Sequence, residues 1–159
     1  MIREPGTESR EPVTSALQAY ADRGVFRGFR ATAGARKRIE YQFVWLTRKP
    51  MTAVFDPSTK RLSFPSLLPQ LDREDATRMK AVIASRSERS QPEHKRVDAR
   101  RGKISSAVRK GDFSVAVDIR GLNHDYAVSR ALNVINELFV TLQEHHPDYL
   151  IARFGFSTE

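Results

Sequence analysis

The chain has 159 residues, with 27 Lys and Arg against 19 Asp and Glu and no cysteine. This length is most naturally one domain, large enough to bury a core without disulfides or a structural metal. The missing cysteine excludes a disulfide framework, a Cys nucleophile and a thiolate metal site, and fits a reducing compartment.

Residues 1–10 are polar and read as a flexible leader without the apolar segment of a signal peptide. No apolar run approaches the ~20 residues that span a bilayer, so the expectation is a soluble cytoplasmic protein with no membrane partner. The net charge of +8 is unevenly placed. Residues 25–71 carry net +7 and residues 94–111 net +6, while 1–24 carry −1 and 112–159 carry −4.

In chain order, Glu11-Pro12 opens a helix whose stripe is Val13, Ala16, Leu17 and Tyr20, with Gly24 as its stop. Residues 25–31 and 38–46 predict two strands. In the second, Ile39, Tyr41, Phe43 and Trp45 share one face. Residues 51–55 and 61–64 predict a hairpin around Asp56-Pro57, and 66–71 an apolar connection that packs down. Asp72 is the cap of a second helix marked by Ala76, Met79, Val82 and Ile83. Residues 85–92 are the most linker-like stretch. Residues 97–108 and 113–120 predict a second hairpin turning at Lys110-Gly111. A long third helix runs from Asn123 or Asp125 to about residue 144, where Pro147 ends it. The apolar tail Tyr149-Leu150-Ile151 and Phe154-Gly155-Phe156 should dock, as a short strand. The fold class is α+β: an antiparallel sheet of about five strands flanked by three helices, order α-β-β-β-α-β-β-α, in a single domain over 11–159.

That order of elements, over residues 11–145, resembles the type III secretion chaperone-like fold, which includes YbjN-type proteins. The resemblance lies in order and lengths, not in a motif. It implies a five-stranded antiparallel sheet with three helices, in a homodimer that holds partner proteins. Secretion chaperones are usually acidic, and this chain departs from them in being basic.

Two constellations carry candidate binding chemistry. Arg27, Arg30, Arg36, Lys37 and Arg38 lie among Phe29, Tyr41, Phe43 and Trp45. Cations beside aromatics on a sheet are what single-stranded nucleic acid binding uses. The plainer reading is a hairpin with a solvated basic tip and an aromatic core. If an aromatic is exposed, Phe29 or Trp45 is the anchor. The second constellation is Lys95, Arg96, Arg100, Arg101 and Lys103, either a patch for phosphate or an acidic partner, or an edge strand guarded by cations.

Other groupings are weaker. Residues 11–88 match the order of a double-stranded RNA-binding domain, but Asp72, Glu74 and Asp75 stand where that domain needs cations. Asp118 with His124 and Asp125, and His145-His146 with Asp148, read as caps and helix-end charges rather than as acid–base or metal sites. No phosphate-loop, dinucleotide-binding, zinc-protease or nucleophile-elbow motif is present. The expectation is therefore a non-enzymatic, chaperone- or adaptor-like protein without cofactor, metal or catalytic residue. It would act as a homodimer on a protein with an acidic surface. One alternative is a nucleic-acid-binding module using the basic blocks 27–38 and 95–110. A second is an enzyme with an unrecognised pocket.

Overall fold

A computed structural model describes residues 11–155; the expected leader over 1–10 and Phe156 of the apolar tail lie outside the described residues. Helix α1 (Pro12–Asp22) starts where Glu11 accepts the Val13 N–H at 3.2 Å and Pro12 supplies the fixed φ of a first turn. Val13, Ala16 and Leu17 form its buried stripe. Gly24, at φ +81°, reverses the chain after it.

Four strands follow, β1 (Arg27–Ala33), β2 (Ile39–Val44), β3 (Pro50–Asp56) and β4 (Arg61–Leu68). Helix α2 (Arg73–Ser85) leads through a long loop to the hairpin of β5 (Gly102–Arg109) and β6 (Asp112–Ile119). Helix α3 (His124–His145) and helix α4 (Pro147–Phe154) complete the described chain. The six strands form one antiparallel sheet in the order β1-β2-β3-β4-β6-β5. No helix among the described residues is long and apolar enough to cross a membrane.

The α+β class and the antiparallel sheet stand as expected, but the counts do not. Among the described residues there are six strands rather than five and four helices rather than three, in the order α-β-β-β-β-α-β-β-α-α. The apolar tail docks as helix α4, not as a strand. Pro147 ends α3 and then occupies the first turn of α4, where a missing N–H costs nothing. Tyr149, Leu150 and Phe154 are buried, and Gly155 closes the helix at φ +69°. Strand β4 runs on to Leu68, because a bulge absorbs Pro65, which cannot donate to the ladder. Strand β5 starts at Gly102 rather than residue 97, because the Arg101 and Gly102 N–H groups both turn back to the Asp98 carbonyl.

Helices α1, α2 and α3 cover one face of the sheet. In β6, Phe113, Val115, Val117 and Ile119 are all buried beneath them. Gly102 permits the closest approach: a Cβ there would lie 3.3 Å from that of Ala127 on α3. Tyr41 is fully buried, its hydroxyl 2.6 Å from the Thr14 hydroxyl on α1. Burial pushes its pKa up to about 12.

Candidate binding surface

The opposite face of the sheet is uncovered among the described residues. Strand side chains alternate, so this face takes the partners of the buried set. The cross-strand register aligns Thr32, Glu40, Val54, Ser63, Ala116 and Ser105 in one row across all six strands. The last four are half-buried, as side chains standing on an uncovered sheet would be. The centre of the face is small and neutral, with Thr52, Ser63, Ser105, Ser114 and Ala116.

Strand β1 reaches this face through a bulge. Arg27 pairs with Val44 and Arg30 with Gln42, so two residues of β1 stand against one of β2. Gly28, at φ +62°, supplies the left-handed conformation that the bulge needs. Arg27 and Arg30 thereby share the bare face, and Arg30 donates to the Gln42 amide oxygen at 2.6 Å. Phe29 falls on the helix side, half-buried, its ring 6.0 Å from Tyr41 and 6.2 Å from Phe43. Trp45, past the end of β2, is also half-buried and meets Phe26 edge-on at 5.6 Å. Among the described residues the bare face itself presents no aromatic ring.

At one end of the sheet the strands carry a row of alternating charge. Asp56 stands opposite Arg61, Arg61 opposite Asp118, and Asp118 opposite Lys103. Arg38 completes the row by an ion pair with Asp56 at 3.3 Å. Arg61 grips Asp118 with two nitrogens, at 2.7 and 3.1 Å. Asp118 is held below the usual carboxylate range, chiefly by the Arg61 hydrogen bond, and Asp56 by the Ser58 hydroxyl and then Arg38. An open depression of about 570 Å³ lies over this row, lined by Arg38, Val54, Asp56, Thr59, Arg61, Ser63 and Asp118.

Further cations stand at the same end. Lys60 donates to the Gly121 carbonyl, and its own carbonyl accepts the Ile119 N–H. The Arg120 N–H bonds the Arg101 carbonyl. Arg36 and Lys37 form the 3-10 turn between β1 and β2, both exposed. The two basic blocks of the sequence thus meet the same rim of the sheet but not each other. Arg38 and Lys103 stand four strand spacings apart, roughly 19 Å.

The rest of the second block lies off the sheet face. Lys95, Arg96 and Arg100 belong to the loop before β5, and Arg101 lays its guanidinium over Tyr126 at 3.7 Å. Asp118 is taken by Arg61, and Asp125 is exposed in the first turn of α3, so they make no acid–base pair. His146 does find a carboxylate. Its Nδ1 lies 2.5 Å from buried Asp75 and 3.9 Å from Asp72, joining the start of α2 to the α3–α4 corner. Asp75 already accepts from Arg78 at 3.1 Å, and a guanidinium beside the trio opposes a metal cation there.

Sequence reasoning missed Lys60, Arg61, Arg120 and Asp56, and it weighed Asp118 only beside His124 and Asp125. The Asp56–Arg61 pairing had a signal, since a hairpin turning at 57–60 sets those residues opposite each other. The pairing of β4 with β6 had none. Comparison with protein-family models, curated proteins and solved structures gives no match.

Proposed function

We propose that this chain is a non-enzymatic binding protein that holds an acidic protein partner against the bare face of its sheet and the β5 edge. The uncovered six-stranded face, neutral at its centre and cationic at its margins, carries this reading. Strand β5 is the regular edge, matching β6 at eight consecutive positions without a bulge. Its outer row of backbone groups suits an added strand, whereas the bulge in β1 interrupts the other edge. Arg27 and Arg30 on one side and Lys103 and Arg109 on the other select an acidic partner and speed its encounter. The chaperone-like resemblance supports the holding role and a homodimer, for which light scattering should give about twice 18.1 kDa.

The test is site-specific photocrosslinking in cells. A benzoyl-phenylalanine at Thr52 or Ser105 should capture one discrete acidic protein, and the same group at exposed Lys80 on α2 should not. Equal capture from all three positions, or none from the sheet, defeats the proposal.

A nucleic acid is the second reading, favoured by the cationic rim. Against it stands a face without a ring for base stacking. Anisotropy with generic single- and double-stranded DNA and RNA at low salt separates the two, because a phosphate-binding rim must bind at least one of them.

A further inference from the structure

We propose that the loop joining α2 to β5 forms a preorganised pocket for the phosphate group of a small phosphorylated ligand, held by Arg89, Arg96 and Arg100. This pocket lies off the bare sheet face and does not depend on the function proposed for it.

The loop reads as a linker, yet it is pinned at both ends and in the middle. Arg86 is 3% exposed and donates to the Lys95 carbonyl at 3.2 Å, to Asn133 at 3.2 Å and to Glu137 at 2.7 Å. Its own carbonyl accepts the Val97 N–H at 2.8 Å, and Val97 is buried. The Tyr126 hydroxyl accepts the Asp98 N–H at 2.9 Å and lies 3.1 Å from the Arg96 carbonyl, which it serves as donor. Arg130 donates to the Arg96 and Glu93 carbonyls at 3.0 and 3.3 Å. Apart from the Arg86 side-chain bonds to Asn133 and Glu137, these contacts use the loop's backbone. They fix its shape and leave the cationic side chains of Arg89 and Arg96 without a carboxylate or hydrogen-bond partner among the described residues.

A hollow of about 440 Å³ opens in that loop, walled by Ser87, Arg89, Arg96, Asp98 and Arg100. Three guanidiniums against one carboxylate leave the hollow at net +2, which matches a phosphate monoester dianion. Asp98 is the opposing charge. It is engaged by Arg100 at 3.2 and 3.3 Å, and the Arg100 hydrogen bonds hold it below the usual carboxylate range. A bound phosphate would therefore take the free forks of Arg89 and Arg96 and a remaining N–H edge of Arg100. Arginine presents paired N–H donors that fit two oxygens of a phosphate at once. The Ala99 N–H also has no acceptor among the described residues, giving the wall a neutral donor. Because the loop is already fixed, binding would not spend free energy on ordering it.

The test uses the full chain, labelled with nitrogen-15 and titrated with inorganic phosphate, with glucose 6-phosphate and with glucose, at constant ionic strength. Saturable shifts of the Ser87 and Ala99 amides with either phosphate, and none with glucose, are expected. Tighter binding of the sugar phosphate assigns an esterified ligand, and equal binding assigns the free anion. The double variant Arg89→Ala, Arg96→Ala should weaken binding by about tenfold or more, a loss of about 1.4 kcal/mol. Lys80→Ala, at an exposed position on α2, should leave it unchanged. Linear, non-saturating shifts overturn the proposal, as does an equal loss in Lys80→Ala. So does binding of a short oligonucleotide at these residues when neither phosphate binds.

Discussion

Replacing Arg86 by Ala tests whether the loop after α2 is a built part of the fold. Arg86 has 4% side-chain exposure, and its partner Glu137 has 36%. The charge-assisted bond to Glu137, at 2.7 Å, falls in the range of about 1.5–3 kcal/mol for hydrogen bonds to charged groups. The bonds to the Lys95 carbonyl and Asn133, both 3.2 Å, add about 0.5–1 kcal/mol each. Exposed Asn133 and half-exposed Glu137 regain water once the guanidinium is gone, which holds their terms to the low end. The expected loss is about 3 kcal/mol, at the lower bound for breaking a buried pair from one side. Urea unfolding followed by far-ultraviolet circular dichroism gives the global value, and hydrogen exchange at the Val97 amide reports the loop. Arg86→Met keeps the buried stem and separates packing from charge. A loss below about 1 kcal/mol, with Val97 as protected as in the wild type, would refute the clamp.

Three further outcomes follow from the geometry. The hydrogen bond to Asp75 raises the pKa of His146, helped by the charges of Asp72 and Asp148. Its contribution to stability is complete below the ordinary histidine value of about 6.5 and is lost as pH rises through the higher folded value. His146→Gln should therefore flatten the stability of the folded chain between weakly acidic and weakly alkaline pH, read as Tm against pH. At Gly28 an added Cβ would meet nothing within 4 Å, so Gly28→Val should cost only the left-handed backbone strain, about 1–2 kcal/mol by denaturant unfolding. Gly28→Asn should cost less, because Asn tolerates that conformation. Asp118→Asn breaks a largely solvent-exposed pair and should cost about 0.2–1 kcal/mol at low salt, shrinking at high salt.

Elements whose cause lies in a few neighbouring residues were legible. Glu11-Pro12 and Asp72 opened their helices, and the alternation from Phe113 to Ile119 predicted a strand with one buried face. The failures arise where one residue type serves two ends. Pro147 reads as a stop, because proline breaks a helix interior. It is equally suited to a first turn, and the buried contacts of Tyr149, Leu150 and Phe154 decide for a helix. The Ser- and Arg-rich stretch after α2 has the composition of a linker, and the side-chain partners that hold the Arg86 guanidinium lie 47 and 51 residues away on α3. The candidate cations were visible as two blocks. Their shared rim depends on β4 pairing with β6 across an intervening helix, loop and β5, and no local pattern encodes that register.

The alternating row also limits how the basic rim acts. Five cations side by side, one per strand at about 4.8 Å, would repel one another across the whole sheet end. Asp56 and Asp118 interrupt that series, so the three middle positions (Asp56, Arg61 and Asp118) sum to −1 and the two ends, Arg38 and Lys103, are positive. The positive charge is thus concentrated at the corners, where Arg36, Lys37 and Arg38 crown one hairpin and Lys103 enters the other edge. An acidic partner of the proposed kind would meet the corners first, and the small side chains between them could then be desolvated without burying an unpaired ion. Such an arrangement places most salt sensitivity in the rate of association. For the proposed partner it would leave the rate of dissociation to contacts with the sheet centre and the β5 edge.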